Sequence, residues 1–154
     1  MGTTLGTLLL VEDDPNDVML FRRAKDKAKL ANPLHVVSDG DAAIAYLSGQ
    51  SQYADRNTHP FPTLMLLDLK LPRKSGLEVL EWLRQQQDIH RLPVMVMTSS
   101  KESADVDKAY DLGANSYLVK PVAFDTLLAM VRALGMYRLI LNENPQLPTQ
   151  DSCL

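Results

Sequence analysis

The chain has 154 residues, enough for one domain with a full-sized core. Hydrophobic residues make up 45% and charged residues 23%, the balance of a soluble globular protein, and the net charge is -3. That charge argues against broad non-specific binding to nucleic acid or an anionic membrane, and the single cysteine, Cys153, has no partner for a disulfide or a zinc site.

Met1 to Gly6 carries no positive region ahead of its apolar run, so neither an export signal nor a membrane anchor is expected. A reducing cytoplasm is the expected compartment. Leu8 to Val11 reads as a buried strand that stops at Glu12-Asp13-Asp14. A helix is expected from Pro15 to about Leu30, with Val18, Phe21 and Ala28 facing inward. His35 to Val37 is a short strand, and Asp41 to Ser48 a helix that Gly49 ends. Gly49 to Pro62 is a polar connection, longer than usual for this place. Thr63 to Leu67 is a third strand, ending at Asp68. Ser75 to Glu78 opens a helix as a capping box, with Leu77, Leu80 and Leu83 behind it. Pro93 to Met97 is a fourth strand, ending at Thr98, and Ser103 to Leu112 a helix closed by Gly113. Tyr117 to Val119 is a fifth strand, ending at Lys120-Pro121, and Phe124, Leu127, Leu128, Val131 and Leu134 mark a final helix.

Five strands alternating with five helices predict an α/β fold with a mostly parallel sheet covered on both faces. The expected domain covers residues 1–141, and the Pro-, Gln- and Asn-rich tail 142–154 is expected to be disordered.

In such a sheet ligands sit beyond the carboxyl ends of the strands. Those ends supply Glu12, Asp13, Asp68, Thr98 and Lys120. Crowded carboxylates repel, and a hard divalent ion with oxygen ligands relieves the repulsion, which suits Mg²⁺. Asp13 and Asp68 are expected to bind it directly and Glu12 through water. Asp68 can act as a nucleophile toward phosphorus, with Lys120 neutralising the phosphoryl charge and Thr98 donating a hydrogen bond. Asp14 reads as the helix cap instead, with Pro15 at the first and Asp17 at the third helical position. The pattern also allows a cis Lys120-Pro121 bond that would aim the lysine back over the strand ends.

These residues resemble the response regulators of two-component phosphorelays. The matching pieces are Leu-Leu-Val-Glu-Asp-Asp, Leu-Leu-Asp68-Leu-Lys-Leu-Pro72, Ser75-Gly76, Thr98-Ser99, Gly113-Ala114 and Tyr117-Leu-Val-Lys120-Pro121. The resemblance implies a flavodoxin-like receiver fold with strand order 2-1-3-4-5, Mg²⁺ dependence, and phosphoryl transfer to Asp68 from a histidine kinase or histidine phosphotransfer protein. It implies that the Lys70 backbone carbonyl completes the metal's protein ligands. It also implies that Thr98 and Tyr117 form the switch that answers phosphorylation. The long 49–62 loop resembles the single-domain regulators that work with phytochrome-type kinases. Lys70, two positions beyond the acceptor, is placed to affect the phosphoryl lifetime.

Such a protein is a phosphoacceptor that assists its own phosphorylation rather than an enzyme acting on a separate substrate. An aspartyl-nucleophile phosphatase would need its general acid where Lys70 stands. A flavin carrier would need a glycine-rich loop where Glu12-Asp13-Asp14 stands. A phosphorylation-independent docking receiver would be expected to lack one of the five positions, and none is missing. The stretch after the last helix is too short for a DNA-binding output domain. The signal is therefore expected to leave through the face made by the fourth helix, fifth strand and fifth helix, as a homodimer or partner contact without nucleic acid or membrane.

Overall fold

The computed structural model describes residues 6–134. The expected boundary at 141, the tail 142–154, Cys153 and the first five residues lie outside that range. Five strands, β1 (Thr7–Val11), β2 (Leu34–Val37), β3 (Pro62–Leu67), β4 (Val94–Thr98) and β5 (Ser116–Val119), form one parallel sheet in the order β2-β1-β3-β4-β5. The helices are α1 (Pro15–Lys27), α2 (Gly40–Ser48), α3 (Gly76–Arg84), α4 (Ser103–Asp111) and α5 (Phe124–Leu134). The strand and helix pattern predicts the parallel sheet covered on both faces, and the order is the flavodoxin-like one that the resemblance implies. Among the described residues no helix is long and apolar enough to cross a membrane.

Alternation along the strands explains the two-sided burial. Leu9, Val11, Met65, Leu67, Val94 and Val96 face α2, α3 and α4, whereas Leu8, Leu10, Leu64, Leu66, Met95 and Met97 face α1 and α5. With both faces covered, the chemistry is left to the sheet's ends.

The helix ends follow local rules, with two departures from expectation. α1 stops at Lys27 rather than near Leu30, because Lys29 takes a left-handed φ of 56°. The amides of Lys29 and Leu30 then donate to the carbonyls of Asp26 and Lys25, which closes the helix as glycine usually would. α2 starts one residue early, because Asp39 accepts a hydrogen bond from the Ala42 amide at 2.7 Å. Gly49, at φ 69°, ends it as expected.

The 49–62 connection is packed rather than a loose polar loop. Ser51–Tyr53 forms a 3-10 turn. The Arg56 guanidinium donates to the carbonyls of Tyr46 at 2.8 Å, Leu47 at 3.0 Å and His59 at 3.1 Å, so a loop cation binds the open end of α2. It also lies over the rings of Tyr46 and Phe61. The Tyr46 hydroxyl donates to the Pro60 carbonyl at 2.9 Å, and Tyr53 and His59 pack edge-on at 5.2 Å. Arg56→Ala leaves three carbonyls without this partner and should lower unfolding stability by about 2 kcal/mol, measured as a reduced urea midpoint with an unchanged slope.

Candidate functional site

The sheet's hydrogen-bond pattern runs one residue past the strands and so fixes the site's backbone. The Glu12 amide donates to Val37 O at 3.0 Å, the Asp68 amide to Val11 O at 3.1 Å, and the Lys120 amide to Thr98 O at 2.8 Å. Separate strands thus deliver Glu12, Asp68, Thr98 and Lys120 to one edge. The Lys120-Pro121 peptide is cis.

Lys120 sits at the centre of the site. Its ammonium donates to Glu12 Oε1 at 2.7 Å, Asp17 Oδ2 at 2.8 Å and Asp68 Oδ2 at 2.8 Å, which uses all three of its N–H donors. Burial opposes its charge, but the bonds to Asp17, Asp68 and Glu12 outweigh that and raise its pKa above the ordinary lysine value. Glu12 is 2% exposed. Burial pushes its carboxyl up to about 7 against the lowering effect of Lys120, and the neighbouring Asp68 charge adds to the rise.

The second oxygens of Glu12 and Asp68 also have partners. Glu12 Oε2 accepts from the Asp14 amide at 3.2 Å, and Asp68 Oδ1 from the Lys70 amide at 3.0 Å. Asp14 accepts from the Asn16 amide at 2.9 Å and caps α1, as the sequence pattern suggested. Glu12, Asp13 and Asp68 each offer an oxygen within 4.8 Å of the others, with Asp13 exposed and the other two buried. An all-oxygen set of three acids against one ammonium fits a hard divalent cation. The Lys70 side chain is exposed.

Thr98 is fully buried, and its Oγ1 accepts a long hydrogen bond of 3.4 Å from the Ser100 amide. Tyr117 is half-buried, and its hydroxyl donates to the Ser100 carbonyl at 3.0 Å, so it is not the wet hydroxyl of an ordinary strand tyrosine. Burial raises its phenol pKa. The loop after β4 therefore connects Thr98 and Tyr117.

Asp17 is the site residue that reading the sequence missed. An acid at the third helical position normally bonds back to the cap amide. Here the Asp14 amide already donates to Glu12, and the Asp17 carboxylate turns to Lys120. Nothing in a linear pattern reveals that exchange.

Gly76 sets the floor of the site. Its amide donates to Leu69 O at 2.9 Å, and a Cβ there would collide with the Asp68 carbonyl oxygen. The start of α3 therefore presses directly on the backbone of Asp68.

Comparison with known proteins gives a consistent result. The response regulator receiver domain family matches residues 8–132. Response regulator Rcp1 of Synechocystis sp. is 38% identical over 130 residues, 84% of this chain and 86% of that protein. The crystal structure of Mn²⁺-bound Rcp1 superposes with a TM-score of 0.75 at 37% identity, covering 87% of this chain and 94% of that one. The phosphorylated cyanobacterial phytochrome response regulator RcpA gives 0.76 at 32% identity, covering 86% and 93%. Response regulator RPA3017, of red light signalling in R. palustris, gives 0.81 at 33% identity, covering 95% and 100%.

The pKa of Glu12 predicts a pH dependence in metal-free buffer. Its folded value of about 7 exceeds the ordinary 4.5, so the folded state holds this proton more tightly. Stability from this group is present at low pH and is lost as pH rises from 4.5 through about 7. Glu12→Gln should flatten that slope in urea titrations spanning the window, and an unchanged slope would remove Glu12 as its source.

Proposed function

Because the chain belongs to the response regulator receiver domain family, we propose that it is a single-domain response regulator whose Asp68 accepts a phosphoryl group from a histidine kinase or histidine phosphotransfer protein. The observation that carries this reading is the Lys120 ammonium 2.8 Å from Asp68 Oδ2, beside an acidic group that fits a divalent cation. An Asp68 carboxylate oxygen attacks phosphorus as the P–N bond of the phosphohistidine breaks, leaving an acyl phosphate and a free imidazole. Lys120 neutralises charge on the phosphoryl oxygens, and the Thr98 hydroxyl donates to one of them. Asp13 and Asp68 would hold Mg²⁺ directly, Glu12 through water, and the Lys70 carbonyl would complete the protein ligands. Bound Mg²⁺ supplies positive charge to the same oxygens. The protein is thus a phosphoacceptor that assists its own reaction, not an enzyme with a separate substrate. Its place is the cytoplasm, and Lys70 influences how long the phosphoryl group lasts.

The kinase is proposed to be phytochrome-type. The support is the likeness to RcpA and RPA3017, together with the ordered 49–62 loop. The output is proposed to be homodimerisation or partner binding through α4, β5 and α5, driven by Thr98 and Tyr117. Exposed Tyr110 (49%) on α4 and Val119 (37%) at the end of β5 give that face apolar surface to bury.

Mass spectrometry after exposure to acetyl phosphate tests the central claim. The wild type should gain a phosphoryl adduct with Mg²⁺ and none after chelation, and Asp68→Asn should gain none in either case. An adduct that survives the substitution would falsify the reading. The output is tested by sedimentation with and without beryllofluoride. A larger species should form only in its presence, and Tyr110→Glu should reduce that species.

A further inference from the structure

We propose that Asp17 is a positioning residue that keeps the Lys120 ammonium at the acceptor once the other two acids are engaged; this rests on the phosphoacceptor reading above. Lys120 has three hydrogen-bond donors and three carboxylate partners. Two of those partners, Glu12 and Asp68, belong to the group that fits a divalent cation, and Asp17 does not. A cation in that group draws on Glu12 and Asp68. Phosphorylation also removes the carboxylate charge of Asp68. Of the three holds on the lysine, only Asp17 competes with neither event.

The geometry suits this role. Asp17 lies in the first turn of α1, where its amide donates to Asp14 O at 3.1 Å behind the Asp14 cap and Pro15. Its side chain is 26% exposed, against 1% for Glu12 and 5% for Asp68, so it reaches the lysine from the solvent side of the group. Lys120 contacts Asp17 and Asp68 at the same 2.8 Å, so Asp17 holds the ammonium at the acceptor and does not draw it away.

Positioning and plain charge repulsion predict opposite signs. A phosphoryl group and its mimics are anionic, so removing a nearby carboxylate should tighten their binding on Coulombic grounds. Loss of a positioned lysine should weaken it. The experiment is titration of beryllofluoride at saturating Mg²⁺ into the wild type, Asp17→Ala and Asp17→Glu, with thermal unfolding of each. Asp17→Ala should weaken beryllofluoride binding by about tenfold, the scale of one charge-assisted hydrogen bond, and Asp17→Glu should recover part of the loss. Unchanged or tighter binding by Asp17→Ala overturns the proposal, as does weakening that Asp17→Glu does not relieve, which would assign the effect to packing. If the wild type binds no beryllofluoride, the phosphoacceptor reading falls first and this one with it. Normal wild-type binding confines any failure to Asp17.

Discussion

One ammonium among three carboxylates governs this molecule's working end. Each acid comes from a different element: Glu12 after β1, Asp17 in α1 and Asp68 after β3. Lys120 joins them from beyond β5, two strands from Asp68 in the sheet. Without the cation, the buried Glu12 and Asp68 would face each other uncompensated, and burial already lifts Glu12 to about 7. The site carries more acid than base, and its three clustered carboxylates fit a hard divalent cation.

The sheet makes this possible by separating stability from chemistry. Alternate strand residues enter two apolar layers, which leaves the chemistry mainly to the strand ends. Glu12, Asp68 and Lys120 each follow a strand, where the ladder still holds the backbone. Thr98 shows the limit of that arrangement. It closes β4, is fully buried, and among the described residues has one long hydrogen bond at its hydroxyl. Such a hydroxyl has little to give up on turning toward a new partner, and Tyr117 is tied to the same loop through Ser100.

Much of this was legible in the sequence, because strand-ending residues are adjacent to the apolar runs that reveal the strands. Glu12, Asp68, Thr98 and Lys120 could be placed on one edge by topology alone. Asp14 could be assigned to the cap from Pro15 beside it. What escaped depends on side-chain choices with equal local alternatives. Asp17 had a satisfactory role as a helix-start acid, and only the diversion of the Asp14 amide to Glu12 freed it. The 49–62 connection looked polar because Arg56 reads as a surface charge, whereas its guanidinium is spent on the carbonyls that end α2. Lys29 was similarly opaque, since a left-handed lysine leaves no mark that glycine would have left.

The close approach of Gly76 to Asp68 limits how this strand end can be moved between proteins. The carbonyl of Asp68 rests where any side chain at position 76 would stand. The amide of Gly76 is meanwhile bonded to the next residue, Leu69. A chimera that exchanged residues 62–68 alone would set the donor's backbone at position 68 against a foreign helix start. The smallest transferable block therefore runs from Pro62 through Arg84, strand and helix together, and recombination points inside it should be rare among functional hybrids.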